Sequence, residues 1–167
     1  MIVFDASTLI LIAKAELLDL FLAASKLEAV IPPEVAAECI GGKKTFDALV
    51  IEKALDEARI RVVPVRNRRL VEKLRADFSL GKGEAEAVAL ALLEGAALLG
   101  IDDKQGINAC KLVGVPFTTA ISILVRTWEK GLLERSDALA KLAALAKYGR
   151  YRTSIIEDAR RTLEERA

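Results

Sequence analysis

The chain has 167 residues, a net charge of +1, 53% hydrophobic residues and a mean hydropathy of +0.30, which fits one compact domain with a full core and excludes a disordered chain. It has no histidine, which removes the commonest general base, the Ser-His-Asp arrangement and most zinc sites. Any chemistry must rest on carboxylates, lysines or hydroxyls, and carboxylate oxygens suit hard cations such as Mg²⁺ and Mn²⁺.

Taken in chain order, the apolar run at 2–4 reads as a buried strand ending at Asp5. A helix with apolar positions Leu9, Ile12, Ala13, Leu17, Leu20 and Phe21 follows, bent near Ala15. A short strand at 29–31 stops at Pro32-Pro33, and proline pre-sets the first turn of a helix over 34–40 that ends at Gly41-Gly42. A helix over 46–58 leads to a strand at 60–65. A basic helix at 67–76 runs into a loop at 79–83. Next come a helix over 84–94, a strand at 96–101, a helix over 104–113 and a strand at 115–118. Helices over 120–130, 136–147 and 153–165 close the chain.

Strands alternating with helices predict an α/β fold, a three-layer α/β/α sandwich around a mostly parallel sheet of four to five strands, with extra C-terminal helices. The chain reads as a single domain, 1–167, with a core at 1–125 and a helical extension at 126–167. The longest uncharged run, Leu112 to Val125, is too short to span a bilayer. The N-terminus lacks the basic segment of a signal peptide, so a cytoplasmic location is expected. Cys39 and Cys110 sit among apolar neighbours and read as two small buried residues, not a disulfide framework.

In a parallel sheet ligands collect at the carboxyl ends of the strands, where strand order reverses. Two strands end in acids there: Asp5 after the first, Asp102 and Asp103 after Leu98-Leu99-Gly100-Ile101. If those strands are neighbours, three carboxylates approach one crevice and repel each other unless a cation neutralises them. Asp is also a favoured helix N-cap, and a helix follows each strand, so capping is an equally open reading of either acid taken singly. Glu84 and Glu86 begin a helix without a polar residue from Ala87 to Leu93, which predicts burial on all sides. Acids near a helix N-terminus are favoured by its dipole in any case. Glu38 is odder: in the last turn of a short helix it faces the negative end of the dipole.

Charge is unevenly spread. Between Arg59 and Arg75 seven basic residues stand against one acid, Glu72. Such a patch either attracts a polyanion or is a solvated helix face.

Four pieces together resemble PIN domains, including the VapC ribonuclease toxins and related stand-alone PIN proteins of archaea and bacteria: VFDASTLI, IPPEVAAE with Glu38, LGKGEAEAVALA with Glu84, and LLGIDDKQGINACKLVGVPF with Asp102 and Asp103. They occur in the family's order and cover most of the first 125 residues. The resemblance implies a Mg²⁺- or Mn²⁺-dependent ribonuclease that leaves a 5′-phosphate and a 3′-hydroxyl. It maps the catalytic acids to Asp5, Glu38, Glu84, Asp102 and Asp103, with Ser7 as the supporting hydroxyl. The ion is expected on Asp5, Asp102 and Glu84. Lys82, Lys104, Arg66, Arg68 and Arg69 are the candidate RNA contacts. The sequence departs from many members by carrying Glu at 84 where they have Asp, and Gly100 where many toxins have Thr. Its LGKGEAEA segment and long helical C-terminus look more like the stand-alone branch than like a toxin.

RNA, an antitoxin protein and a second copy of the chain are the expected partners. The dimer expectation rests on the family and on Trp128 and Leu132, apolar residues beyond what a monomer readily covers. Two other readings stay open: a PIN fold that binds RNA or protein without cutting, and a metal-dependent phosphatase, although the latter usually shows DxD and Ser7 stands two after Asp5. The SLGKGE loop lacks the Walker A spacing.

Overall fold

The computed structural model describes residues 1–165. Five strands, β1 (Ile2–Phe4), β2 (Ala29–Ile31), β3 (Ile60–Val62), β4 (Leu98–Gly100) and β5 (Phe117–Thr118), form one sheet in the order β3-β2-β1-β4-β5. Every pairing is parallel. Parallel neighbours need crossovers, and ten helices supply these and the C-terminal extension among the described residues: α1 (Ala6–Lys14), α2 (Leu18–Ala24), α3 (Pro33–Cys39), α4 (Phe46–Asp56), α5 (Arg68–Phe78), α6 (Lys82–Glu94), α7 (Lys104–Val113), α8 (Ala120–Glu129), α9 (Arg135–Tyr148) and α10 (Thr153–Glu165). From β1 the chain steps outward to β2 and β3, then returns across the sheet to β4 and β5. Right-handed crossovers therefore put α1 to α4 on one face and α5 to α7 on the other. The packing agrees, since α1 lies against α4 and α6 against α5 and α7. The expected three-layer fold is present, with five strands among the described residues, all of them parallel.

The sheet is sealed on both sides. Ile2, Val3, Phe4, Val30, Ile31, Leu99 and Ile101 are fully buried, as a doubly covered parallel sheet requires. Strands are shorter than their apolar runs. β3 stops at Val62, ahead of Pro64, whose missing N–H cannot extend the ladder. The expected bend at Ala15 is a full break: Glu16 has φ 54°, and α2 restarts at Leu18. The carbonyls freed there are not lost, because Lys141 Nζ of α9 hydrogen-bonds Ala15 O at 3.1 Å and Glu16 O at 2.8 Å.

Two expectations are corrected, and the basic run is seen in its surroundings. Helix α6 is buried only as far as Ala91; Leu92 and Leu93 are 39% and 48% exposed, because the helix runs out from between its neighbours before its last turn. Trp128 is partly buried against the core, leaving Leu132 as the exposed member of that pair. Of the seven cations between Arg59 and Arg75, five are engaged in ion pairs: Arg59 with Asp19 and Glu57, Arg61 with Glu28, Arg68 with Glu86, Lys73 with Asp77 and Arg75 with Glu72. Arg59, Arg61 and Arg68 reach acids in other segments, Lys73 and Arg75 pair within α5, and Arg66 and Arg69 make none of these pairs. Cys39 and Cys110 are buried and free; burial pushes their thiols up to about 12 and about 11, so both are inert. Among the described residues no helix is long and apolar enough to cross a membrane.

Candidate active site

Strand order reverses between β1 and β4, and the acids stand at that point. Phe4 pairs with Gly100, and the Asp5 amide continues the ladder by donating to Gly100 O at 2.9 Å. Asp5 and the Asp102-Asp103 pair thus leave neighbouring strands at the same end. Gly100 is what allows this closeness: a Cβ there would strike the Phe4 ring and Thr8.

Asp5 caps α1 and has a second role as well. Its Oδ2 accepts from the Ser7 hydroxyl at 2.7 Å and the Ser7 amide at 3.4 Å. Its Oδ1 is buried and has no hydrogen-bond partner, alone in this respect among the buried side-chain polar atoms described. The residue is 1% exposed. Burial chiefly, and then the charge of Asp103, holds its carboxyl above the usual range. A carboxylate oxygen sealed from water without a donor is costly unless something positive meets it.

Asp103 divides its oxygens in the same way. Its Oδ1 caps α7 by accepting from the Gln105 and Gly106 amides at 2.9 and 3.0 Å, which leaves Oδ2 outside the cap. Its charge acts on both Asp5 and Glu84.

Glu84 lies in the first turn of α6, where its Oε2 accepts from the Gly81 amide at 3.0 Å. Glu38 is explained by the same helix. It sits at the unfavourable end of α3, but its carboxylate reaches the positive end of α6, where the Gly83 amide hydrogen-bonds to it. The fit is so close that a Cβ on Gly83 would overlap Glu38 Oε1. Partial burial raises the carboxyl pKa of Glu38 and of Glu84. The next contributor for Glu38 is the charge of Asp5, and Glu84 feels Asp103, Asp5 and Glu38. Asp5, Glu38, Glu84 and Asp103 are therefore one mutually repelling group.

Asp102 belongs to a different arrangement. Its Oδ2 accepts from Thr8 Oγ1 at 2.6 Å and from the Ala120 amide at 3.0 Å, and its Oδ1 from the Tyr151 hydroxyl. Burial and the adjoining carboxylate push the Tyr151 phenol upward, so it stays a donor. Both Asp102 oxygens are engaged by the protein, on elements as far apart in sequence as α1 and the α9–α10 junction.

Glu86 is separate again. It is 6% exposed, ion-paired to Arg68 and bonded to the Glu34 amide at 3.1 Å. It acts as the N-terminal cap of α3, a task that Pro32 cannot perform with its own side chain.

Among the described residues no three acidic, histidine or cysteine side chains are already drawn together into a metal-binding set, as expected of like charges facing each other without a counterion. The donor set nevertheless fits a hard divalent ion: oxygens alone, one of them buried and unpartnered. Beside the acids opens a cleft of about 520 Å³, lined by Ser7, Ile10, Leu11 and Lys14 of α1, by Glu84, by Asp102, Asp103 and Lys104, and by residues 148–151. Of the candidate RNA contacts, Lys104 lines it; Lys82 stands exposed at the start of α6, Arg68 is bound to Glu86, and Arg66 and Arg69 are exposed before and within α5. Sequence reasoning missed Lys14, Tyr148, Arg150 and Tyr151, whose approach depends on how α9 and the turn after it fold back onto α1.

A family model described as a PIN domain matches residues 1–165. The chain belongs to the PIN-domain family. The match runs through the C-terminal helices as well as the five-stranded core, so the PIN domain here includes α9 and α10. PIN domains are typically nucleases and usually hold Mg²⁺ or Mn²⁺. No curated protein matches the chain.

Proposed function

We propose that this PIN domain is a metal-dependent endoribonuclease that cleaves single-stranded or structured RNA. The observation that carries the reading is Asp5 Oδ1, an oxygen buried without a donor among three further carboxylates. As a structural cap Asp5 needs only Oδ2. The idle oxygen is explained by a cation.

Asp5 Oδ1 and Asp103 Oδ2 would hold the Mg²⁺ or Mn²⁺ ion, with Glu84 and Glu38 beside them. When bound, such an ion supplies a Lewis acid for the phosphodiester and a water of lowered pKa. The carboxylates of Glu38 and Glu84, already raised toward protonation, can orient that water and take its proton. Ser7 fixes the rotamer of Asp5 through the 2.7 Å bond. Asp102, expected from sequence as a ligand, is proposed instead as a strut that sets the position of its neighbour Asp103. Lys104, in the first turn of α7, faces the cleft as a phosphate contact. The same reading carries a cytoplasmic location, a homodimer and an antitoxin partner, and light scattering checks the dimer.

The test is a Mn²⁺ titration with single-stranded RNA, read by cleavage and by melting temperature. Cleavage together with a rise in melting temperature supports the nuclease. A rise without cleavage favours a binding module that holds the ion. Hydrolysis of a small phosphomonoester but not RNA favours the phosphatase. No rise at saturating Mn²⁺ removes the ion site altogether.

A further inference from the structure

Five of the seven cations of the 59–75 run are held in ion pairs, whereas those lining the acid cleft are not. Lys14 closes α1, Lys104 opens α7, and Arg150 sits in the turn between α9 and α10; all three line the cleft, and none makes an ion pair among the described residues. Tyr148, 47% exposed on the same wall, brings two ammonium groups together: Lys14 Nζ lies 5.1 Å and Lys147 Nζ 5.3 Å from its ring centroid. Cation–π attraction keeps both lysines at the rim, where repulsion alone would separate them.

We propose that these groups form a phosphate grip. Lys14, Lys104 and Arg150, with Lys147 steadied by Tyr148, bind the backbone of a single-stranded nucleic acid on either side of the phosphate that faces the acids. This deepens the nuclease reading and rests on it for which phosphate is cut. A basic residue in the last turn of a helix also suits the dipole, which would account for Lys14 taken singly. It does not account for Arg150 in a turn, Lys104 at a helix start, or their meeting in one cleft. The cleft is also the size of a nucleotide-scale pocket, and its floor, Ile10 and Leu11, is apolar. A single strand can turn a base into such a space, whereas a duplex presents its bases stacked and its phosphates on a broad convex surface. The grip thus assigns α9 and its following turn a binding task.

The experiment is fluorescence anisotropy of a short labelled single-stranded RNA in EDTA, where an ion-dependent nuclease does not cut, over a range of NaCl concentrations. Each single-strand phosphate contact contributes about 0.7 to the slope of log affinity against log salt. The double variant Lys14→Gln/Arg150→Gln should bind more weakly and lower that slope by about 1.4. The charge-keeping pair Lys14→Arg/Arg150→Lys should retain the wild-type slope. Lys26→Gln, ahead of β2 at the opposite end of the strands, should change nothing. An unchanged slope in the double variant, an equal loss in the charge-keeping pair, or an equal loss in Lys26→Gln overturns the grip. Double-stranded RNA bound as tightly, with the same loss of slope, overturns its single-strand form. Cleavage is scored separately with Mn²⁺: RNA held with the expected slopes but never cut leaves the grip and removes the nuclease, and cleavage with unaltered slopes does the reverse.

Discussion

Asp102 and Asp103 are neighbours in sequence with opposite circumstances. Asp102 is enclosed by donors from α1, α8 and the α9–α10 turn, and neither of its oxygens is idle. Asp103 uses one oxygen to start α7 and turns its charge toward Asp5 and Glu84. The same contrast separates Glu86, closed by Arg68 and the α3 amide, from Glu84 two residues earlier. An acid surrounded by donors binds parts of the fold to each other. An acid surrounded by other acids stores repulsion that a cation relieves. Location at a strand end does not separate the two kinds; the inventory of donors does.

The strongest way to break this comparison is Asp5→Asn. The amide retains the Oδ2-type bonds to Ser7 but loses the charge. Metal-dependent RNA cleavage should fall by at least ~100-fold, and the Mn²⁺-induced rise in melting temperature should vanish. The metal-free variant should melt no lower than wild type, because a desolvated charge has been removed. A variant that still gains stability from Mn²⁺ would sink the assignment.

Next in size is the contrast between the paired aspartates. Asp103→Asn should leave the fold intact, since Asn also caps helices, and should abolish most of the Mn²⁺ shift. Asp102→Asn should cost ~1–3 kcal/mol of stability, because an amide N–H₂ must now face a donor that the carboxylate accepted from. It should retain part of the Mn²⁺ shift. Thermal melts with and without Mn²⁺ measure both, and the reverse pattern would restore Asp102 as the ligand.

Much of this was legible in the sequence. The strand–helix alternation and the order of the four family segments sufficed for the fold, and the acids ending β1 and β4 for naming Asp5, Asp102 and Asp103 as candidates beside Glu38 and Glu84. The division of labour among them was not legible, because it depends on Thr8, Ala120 and Tyr151, donors from three distant segments. Glu38 was recognisable as misplaced by its own helix, but the amide that rewards it belongs to α6. The surroundings of the basic run at 59–75 were hidden for the same reason: charge along the chain is local, and the pairing of Arg59, Arg61 and Arg68 with Asp19, Glu28 and Glu86 is tertiary. Glu86, by its angle around the helix a natural inert control for Glu84, is the buried cap of another helix.

Glu86→Gln sharpens that last distinction. It should lower stability by ~1–3 kcal/mol through the weakened bonds to Arg68 and the Glu34 amide, read by urea denaturation. Cleavage per folded molecule should stay at the wild-type level. A loss of cleavage without a loss of stability would place Glu86 in the site.

The smallest effect is on pH dependence. Asp5, Glu38 and Glu84 have carboxyl pKa values raised above their ordinary 3.8 and 4.5. The folded state therefore holds more protons than the unfolded one just above those values, and metal-free stability should fall as pH rises through that window. Saturating Mn²⁺ should flatten the decline, since the ion takes the place of the protons. Melting temperatures across that window, with EDTA and with Mn²⁺, give the difference; parallel curves would show that the acids do not share an ion.

Gly83 carries a consequence of a different kind. Its φ is not in the left-handed region, and an alanine in the first turn of α6 would improve helix propensity by up to ~1 kcal/mol. The three atoms nearest to its Cβ position all belong to the carboxylate of Glu38, the free end of a flexible side chain that can swing aside. Gly83→Ala should thus give a protein at least as stable, with all of its acids still present and one of them out of place. On the proposed nuclease reading, thermostability and activity pull in opposite directions at this position, and a selection for heat resistance alone would drift toward a well-folded chain with Glu38 displaced from the acid group.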